Sequence, residues 1–580
     1  MVSAMTTLPA WVALAAALFP IALAGLVAVP ATRSFAVRLA PLAPLPALVV
    51  AALVPDGVSE LPALVTGITV AVDPTARAFL ALSAAVWTAS AFYSAASPRP
   101  EQGPRFTGFF LLAMAGSLGL TVTVDPAGFY TFFALMALPT YALVAAGNGR
   151  DSRRAGRVYL SFTVLGEALL VCGLFVVGAA AFGVTVPAWA TPAGIALLLT
   201  AFGIKIGALG LHGWMPVSYT AAPTAAAAAL AGAMSKAGVL GLVRFLPAGE
   251  AEAVPFGGVV MAFGLAAALY GALAGVVQTE PKTVLAYSSI SQLGLITIGI
   301  GAGLAVPDAW PFAVTAATVY AVHHGLAKAA LFLGEDIAYG SARRAPALAG
   351  LALPSLALAG LPFTSGAVAK IVLKEATGLA PGLWHDALET LLPIAAVGTT
   401  LLMARFLFLV ATRPPRPAEA DTTSASRPTA LAAWLFLLAA VAATLWLWPA
   451  EEVRYAATKS LTAHYLWLAS WPVIAGALIA VAVWLARSVT ARLAGIVPAA
   501  DVYAPVFTRV HRSIEERDFA AAATPAAASP ATPSEAPLPS AAASLLHRVG
   551  IAESGLLAWA TAISAVGIFT VLLLVLAARG

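Results

Sequence analysis

Seven ionisable side chains lie inside long apolar runs of this sequence. Glu167 is in SFTVLGEALLVCG, Lys205 in AFGIKIGALGLHGWMP and Lys236 in AGAMSKAGVLGLVRF. His323, His324 and Lys328 share VYAVHHGLAKAALFL, and Lys370 is in LPFTSGAVAKIVLKEA. A charge at the centre of a bilayer costs at least about 2.5–3.5 kcal/mol, so such residues usually face a bundle interior or a water-filled path. Tyr320, His324 and Lys328 are spaced i, i+4, i+8 and share one helical face. Histidine suits a proton relay because it titrates near neutrality. A lysine taken out of water gives up its proton more readily, so it can load and release one. The chemistry these residues suit is proton transfer.

Plainer roles compete at several positions. Lys374, near a helix end, reads equally as a lysine that snorkels to the interface. Glu167 reads equally as a structural hydrogen-bond partner, and His323 as a packed histidine. Lys205 and Lys236 stand near helix middles, where snorkelling is a poor explanation. Metal binding by His323 and His324 is disfavoured, because adjacent helical residues point to different faces.

The elements that position these residues are membrane helices. Of 580 residues, 61% are hydrophobic and 10% charged, which leaves too little polar surface for a water-soluble domain. Apolar runs of about 20 residues recur along the chain, and they predict an all-α polytopic membrane protein with roughly 14–16 spanning helices. The second span is expected at 36–55, the eighth at 222–246, the twelfth at 347–375 and the last at 556–577. LVTGITVAVDP alternates like a short hairpin. The N-terminus has no basic n-region, so its first apolar run reads as a helix and not a cleaved signal. The single cysteine, Cys172, excludes a disulfide framework or a cysteine-rich cluster within the chain. The net charge of +5 does not argue for nucleic acid, because basic residues here mark loops.

Arg33, Arg99, Arg105, Arg150, Arg153, Arg154, Lys282, Arg343 and Arg344 fall in odd-numbered loops. Asp56, Asp125, Glu250, Asp308, Asp386 and Glu389 fall in even-numbered ones. The positive-inside rule then puts the odd loops in the cytoplasm of a bacterial cell and the N-terminus outside its inner membrane. Residues 500–545, with HRSIEERDF and a Pro/Ala/Ser tract, read as a disordered cytoplasmic linker. The expected organisation is 1–105 for helices one to three, 106–250 and 251–411 for two five-helix units, and 412–499 for accessory helices. A linker at 500–550 and a last helix at 551–580 complete it. The seventh helix carries Lys205 before Pro216 and Pro223, and the twelfth carries Lys370 after Gly360, Pro362 and Gly366. Paired Gly/Pro-interrupted segments suggest inverted repeats with ion sites at the breaks.

KIGALGLHGWMP followed by AAPTAAAAALAGAMSKAGVLGLVRF resembles the most characteristic stretch of the proton-translocating, antiporter-like membrane subunits. These occur in respiratory complex I, in Mrp-type cation/proton antiporters and in group 4 membrane-bound hydrogenases. TEPKTVLAYSSISQLG, HHGLAKAALFL and GLPFTSGAVAK resemble further segments of that family in the same order, and the resemblance runs from about residue 65 to 410. LLHRVGIAESGLLAWATAISAVG resembles the C-terminal helix of the Mrp-type and hydrogenase-type members.

The resemblance implies two inverted five-helix repeats with broken seventh and twelfth helices. It implies that Lys205 and Lys236 hold protons, that His324 relays them, with Lys328 on the same face, and that Lys370 exchanges them at the exit. It implies partner membrane subunits in the lipid bilayer, and protons or Na⁺ as cargo. The chain carries no redox cofactor motif, so no cofactor is expected. Any oxidation chemistry would belong to partners in an NADH:quinone oxidoreductase-like or hydrogenase-like complex. One departure matters. The family's glutamate in the fifth helix is matched here by Ala134 in FYTFFALMALPTY. Glu167, the only acid in the membrane runs of helices four to eight, is the available substitute. Val217 stands where the family has an aspartate. Two other readings stay open: an energising subunit of an inorganic-carbon uptake complex, and a non-conducting scaffold.

Overall fold

The structure, a computed structural model, describes residues 7–61, 67–96, 103–147, 149–179, 187, 190–340, 344–414, 428–443, 448, 451–486 and 570. The linker expected at 500–545 and nearly all of the helix expected at 556–577 lie outside the described residues. The chain is a multi-pass integral membrane protein. Among the described residues, ten helical stretches are long and apolar enough to cross a membrane, and four shorter apolar helices accompany them.

The N-terminal part holds α1 (Thr7–Ala28), α2 (Arg33–Leu39), α3 (Leu45–Leu53) and α4 (Pro74–Ala96). The span expected at 36–55 is thus two short helices, joined by a tight turn at Ala40–Leu42 that contains Pro41. Strands β1 (Gly57–Leu61) and β2 (Ile68–Val72) pair antiparallel, with Gly57 opposite Val72 and Leu61 opposite Ile68. A hairpin is present, but the sequence reading located only its second strand. The next helices are α5 (Pro104–Val122), α6 (Pro126–Ala145) and α7 (Arg150–Ala179). Asp125 caps α6 by accepting from the Gly128 amide at 2.7 Å. Its other oxygen accepts from the Thr69 amide at 2.8 Å, which fastens the hairpin to α6. This is the usual use of a short acid ahead of a helix whose first position is proline.

Then the regular pattern stops. Helix α8 (Ala190–Ile206) ends on the residue after Lys205, and α9 (Trp214–Ala221) begins after seven intervening residues. Gly207 and Gly210 turn the chain between them at φ +68° and +89°, a region that favours glycine. The span expected at 222–246 is α10 (Thr224–Ala229), a π-helical turn over Leu230–Met234 and α11 (Lys236–Phe245). After α12 (Val254–Val276), α13 (Pro281–Ala305) and α14 (Trp310–Gly340), a second interruption appears. The stretch expected as one span at 347–375 is α15 (Arg344–Ala359) and α16 (Ser365–Thr377). Helices α17 (Leu383–Thr412), α18 (Pro428–Ala443), α19 (Glu451–Lys459) and α20 (Ala463–Leu485) follow.

Burial separates the centre from the rim. The most apolar stretches of α10–α11 and of α13 are 94% buried, whereas that of α20 is 17% buried. Helices α12 and α13 pack closely along their glycines. A Cβ on Gly264 would lie 2.7 Å from the Gly294 carbonyl oxygen, and one on Gly294 would lie 2.5 Å from that of Gly264. Gly271 and Gly257 face α13 backbone in the same way, one heptad apart on either side. Small residues let membrane helices approach backbone to backbone, where packing replaces the hydrophobic effect. Gly294→Ala should therefore destabilise the protein by about 1–3 kcal/mol through overpacking. The check is thermal melting of the detergent-purified protein, and an unchanged midpoint would contradict this packing.

Candidate functional site

The polar residues of the apolar runs are buried among the helices, apart from the half-buried Lys370. Helix α7 presents Glu167 and α8 presents Lys205 in its last turn. Both are buried, at 6% and 7% exposure. The Lys205 ammonium lies 5.1 Å from the Phe133 ring centre and 6.0 Å from that of Tyr159. Phe133 precedes Ala134, so an aromatic face on α6 meets this lysine at the position next to the missing acid. Cation–π contacts gain strength when water is excluded. Glu167 and Lys205 act on each other electrostatically, but among the described residues no direct ion pair joins them. Glu167 Oε1 has no hydrogen-bond partner. Beside Lys205, Tyr159, Thr163 and Gly166 line a small cavity with room for about one water.

Lys236 begins α11, directly after the π-helical turn. It is fully buried, and its ammonium donates to the Ala231 carbonyl and to Ser235 Oγ at 3.2 Å. π-helical turns displace backbone groups from the regular ladder and recur at functional sites. Here the displaced backbone takes up a lysine. The turn also touches α14 closely: a Cβ on Gly325 would lie 2.4 Å from the Gly232 carbonyl oxygen.

Helix α14 carries Tyr320, His323, His324 and Lys328, all buried. The two histidines face different groups. His324 lies in the field of Lys236 and Lys328, and both its ring nitrogens lack a hydrogen-bond partner. His323 pairs through Nδ1 with Ser365 Oγ at 2.8 Å and lies in the field of Lys370. Lys328 donates to the Leu285 carbonyl of α13 at 2.8 Å. Tyr320 donates to Gln292 Oε1 at 2.8 Å, and Gln292 Nε2 donates to Thr399 on α17 at 2.9 Å. Lys370, on α16, donates to the Ala359 carbonyl at the end of α15, at 2.5 Å. Gly360 makes that contact possible: its φ is +88°, and a Cβ there would lie 2.8 Å from the lysine nitrogen.

The structure thus sets Glu167 beside Lys205, and groups Lys236, His324 and Lys328 with Lys370 beyond His323. His323, read from sequence as a packed residue, faces α16. Two acids were missed. Asp336 accepts from the Tyr93 hydroxyl at 2.5 Å in a buried contact between α14 and α4. Glu335 is buried beside it and lies in the field of Lys282, Glu280 and Arg413. Their signal was present in LFLGEDIAYG, where an acidic pair closes an apolar run. Among the described residues, no group of three or more His, Cys, Asp or Glu side chains could hold a metal ion.

Comparison with known proteins places this arrangement. Residues 124–378 match the family described as NADH:quinone oxidoreductase/Mrp antiporter, TM. This central segment is the part of the chain that is similar to that family. The chain is similar to NADH-quinone oxidoreductase subunit M of Pseudomonas aeruginosa, with 32% identity over 254 residues, covering 40% of this chain and 49% of that protein. It is similar to NADH-quinone oxidoreductase subunit N of Desulforudis audaxviator, with 32% identity over 286 residues, covering 46% and 55%. The chain spans about half the length of these curated relatives. Its fold is like a chain of the Mrp complex from Dietzia sp. DQ12-45-1b, with a TM-score of 0.65 and 23% identity, covering 98% of this chain and 69% of that one. The matched residues include Glu167, Lys205, Lys236, His324, Lys328 and Lys370.

The domain's tie to α4 is testable. Tyr93→Phe leaves Asp336 buried with one donor fewer. Losing a hydrogen bond to a charged group costs about 1.5–3 kcal/mol, so the purified protein should melt earlier by that margin. An unchanged melting curve would remove Asp336 from the account.

Proposed function

We propose that the chain is a proton-translocating membrane subunit of a multisubunit complex related to complex I, Mrp antiporters or membrane-bound hydrogenases. The observation that carries this reading is the number of titratable groups inside the apolar helices, with Glu167, Lys205, Lys236, His324 and Lys328 buried and Lys370 half-buried. Intramembrane charges of this density mark ion paths far more often than structural pairs. Lys205 and Lys236 hold protons in the first half of the path. His324 relays them, Lys328 flanks the relay, and Lys370 exchanges them at the far end. Helices α5–α11 and α12–α17 form two inverted repeats in this reading, each interrupted beside a lysine. The odd-numbered loops face the cytoplasm and the N-terminus faces outside. Other membrane subunits bind the lipid-facing helices and supply the driving reaction.

Lys205→Ala or Lys236→Ala, each in an assembled complex, should abolish cation pumping or antiport in membrane vesicles. Normal transport in either variant would sink the mechanism. Glu167 takes the place of the acid missing at Ala134. A carboxylate within about 4–6 Å favours the charged form of a lysine, and one water can carry the contact somewhat further. Glu167→Gln should impair transport while leaving assembly intact, and adding Ala134→Glu should restore part of it. Unchanged transport in Glu167→Gln would reduce this acid to a structural role.

A further inference from the structure

Lys205, Lys236 and Lys328 are buried, whereas Lys370 is half-buried. The difference is a cavity of about 120 Å³ beside Lys370, with space for several waters. It lies between α16, α17 and α20. Gly360, Lys370, Lys374, Glu389, Ala396 and Tyr465 line it, and Lys374, Glu389 and Tyr465 stand toward the helix ends. All three walls run outward toward the same side. Lys374 is in the last turn of α16, Glu389 is near the start of α17 and Tyr465 is near the start of α20. Those ends belong to even-numbered loops. From Glu389 to Ala396 along α17 is about 10 Å, so the cavity is a short vestibule.

An ion pair lies in the outer part of this vestibule. Lys374 Nζ and Glu389 Oε1 are 3.7 Å apart, one on each wall, and each side chain is about half exposed. Lys374 is also one helical turn from Lys370 and shares its face of α16. Two lysine charges so close repel each other. While Glu389 stays on Lys374, it offsets that charge and occupies the passage.

We propose that the Lys374–Glu389 ion pair is the outward gate of the Lys370 vestibule. The gate deepens the transport reading above and rests on it. An exposed pair of this kind is weak, so it opens thermally. Once open, Glu389 is the carboxylate available in the vestibule. The Lys370 ammonium gives up a proton through water and keeps the nitrogen lone pair. The Glu389 carboxylate takes the proton, becomes a carboxylic acid and then loses it to the water outside. The backbone carbonyl of Ala359 holds Lys370 in place throughout.

The test uses the whole complex in its membrane, with Cys172→Ser to remove the one cysteine of this sequence and labelling read on this chain alone after its separation from the other subunits. Leu392→Cys places a thiol in the vestibule wall. A charged, membrane-impermeant thiosulfonate is added from outside, and the modification rate is measured. The rate should be low with the pair intact and about two- to fivefold higher after Glu389→Gln, as the weakness of an exposed pair allows. The swap Lys374→Glu with Glu389→Lys should return it to the low value. Ala396→Cys, deeper in the wall, should behave the same way. Equal rates with and without Glu389 would overturn the gate. Reaction with a membrane-soluble maleimide alone would show that a lipid chain fills the cavity, and would also overturn it. Reaction from the cytoplasmic side alone would reverse the assigned direction. None of these rates requires ion transport. Full transport in Lys205→Ala would therefore count against the transport reading without altering the labelling result.

Discussion

An ammonium inside a membrane must find an oxygen, and this fold finds most of its oxygens in backbone that has left a regular helix. Lys236 donates to a carbonyl of the π-helical turn, and Lys370 donates to the last carbonyl of α15. Lys205 occupies the last turn of α8, where carbonyls run out of amide partners. The C-terminal end of a helix carries partial negative charge, and such an end is where a cation is least costly. The interruption at 360–364 and the turn at 230–234 therefore supply the oxygens that hold Lys370 and Lys236. Backbone acceptors carry no titratable proton. They hold a lysine without fixing its charge, which a carboxylate in direct contact would do.

The Lys236 and Lys370 regions meet at adjacent histidines. Because neighbours on a helix point about 100° apart, His324 can face Lys236 while His323 faces Ser365 and Lys370. One turn of α14 thus contacts both interrupted regions. Glycines at 232, 325 and 366 let the backbones come close enough for these contacts. At Gly366, a Cβ would collide with the Ala357 carbonyl and would lie 3.0 Å from His323 Nε2.

Much of this was legible in the sequence because burying a charge is costly enough to leave few explanations. Lys205, Lys236, His324, Lys328 and Lys370 stand out in runs that contain almost nothing else polar. Less was legible where the signal depends on tertiary contact. The π-helical turn falls within AAAAALAGAM, a stretch whose composition is that of an ordinary helix. The partner strand of the hairpin, GVSEL, is too short and too polar to stand out. His323 reads like any packed histidine until Ser365, 42 residues later, comes beside it. Glu335 and Asp336 were missed for another reason. They sit where an apolar run ends, and acids at such a point read as loop until α14 is seen to continue to Gly340.

The glycine contacts between α12 and α13 have a mechanical meaning. Helices that touch backbone to backbone cannot slide past each other without separating, so the pair behaves as one beam. On its outer side the beam presents Leu273, three-quarters exposed, where lipid or a neighbouring subunit can press. On its inner side it carries the Leu285 carbonyl that Lys328 holds. A push of less than an ångström on the outside would therefore arrive undamped at a hydrogen bond in the middle of the membrane.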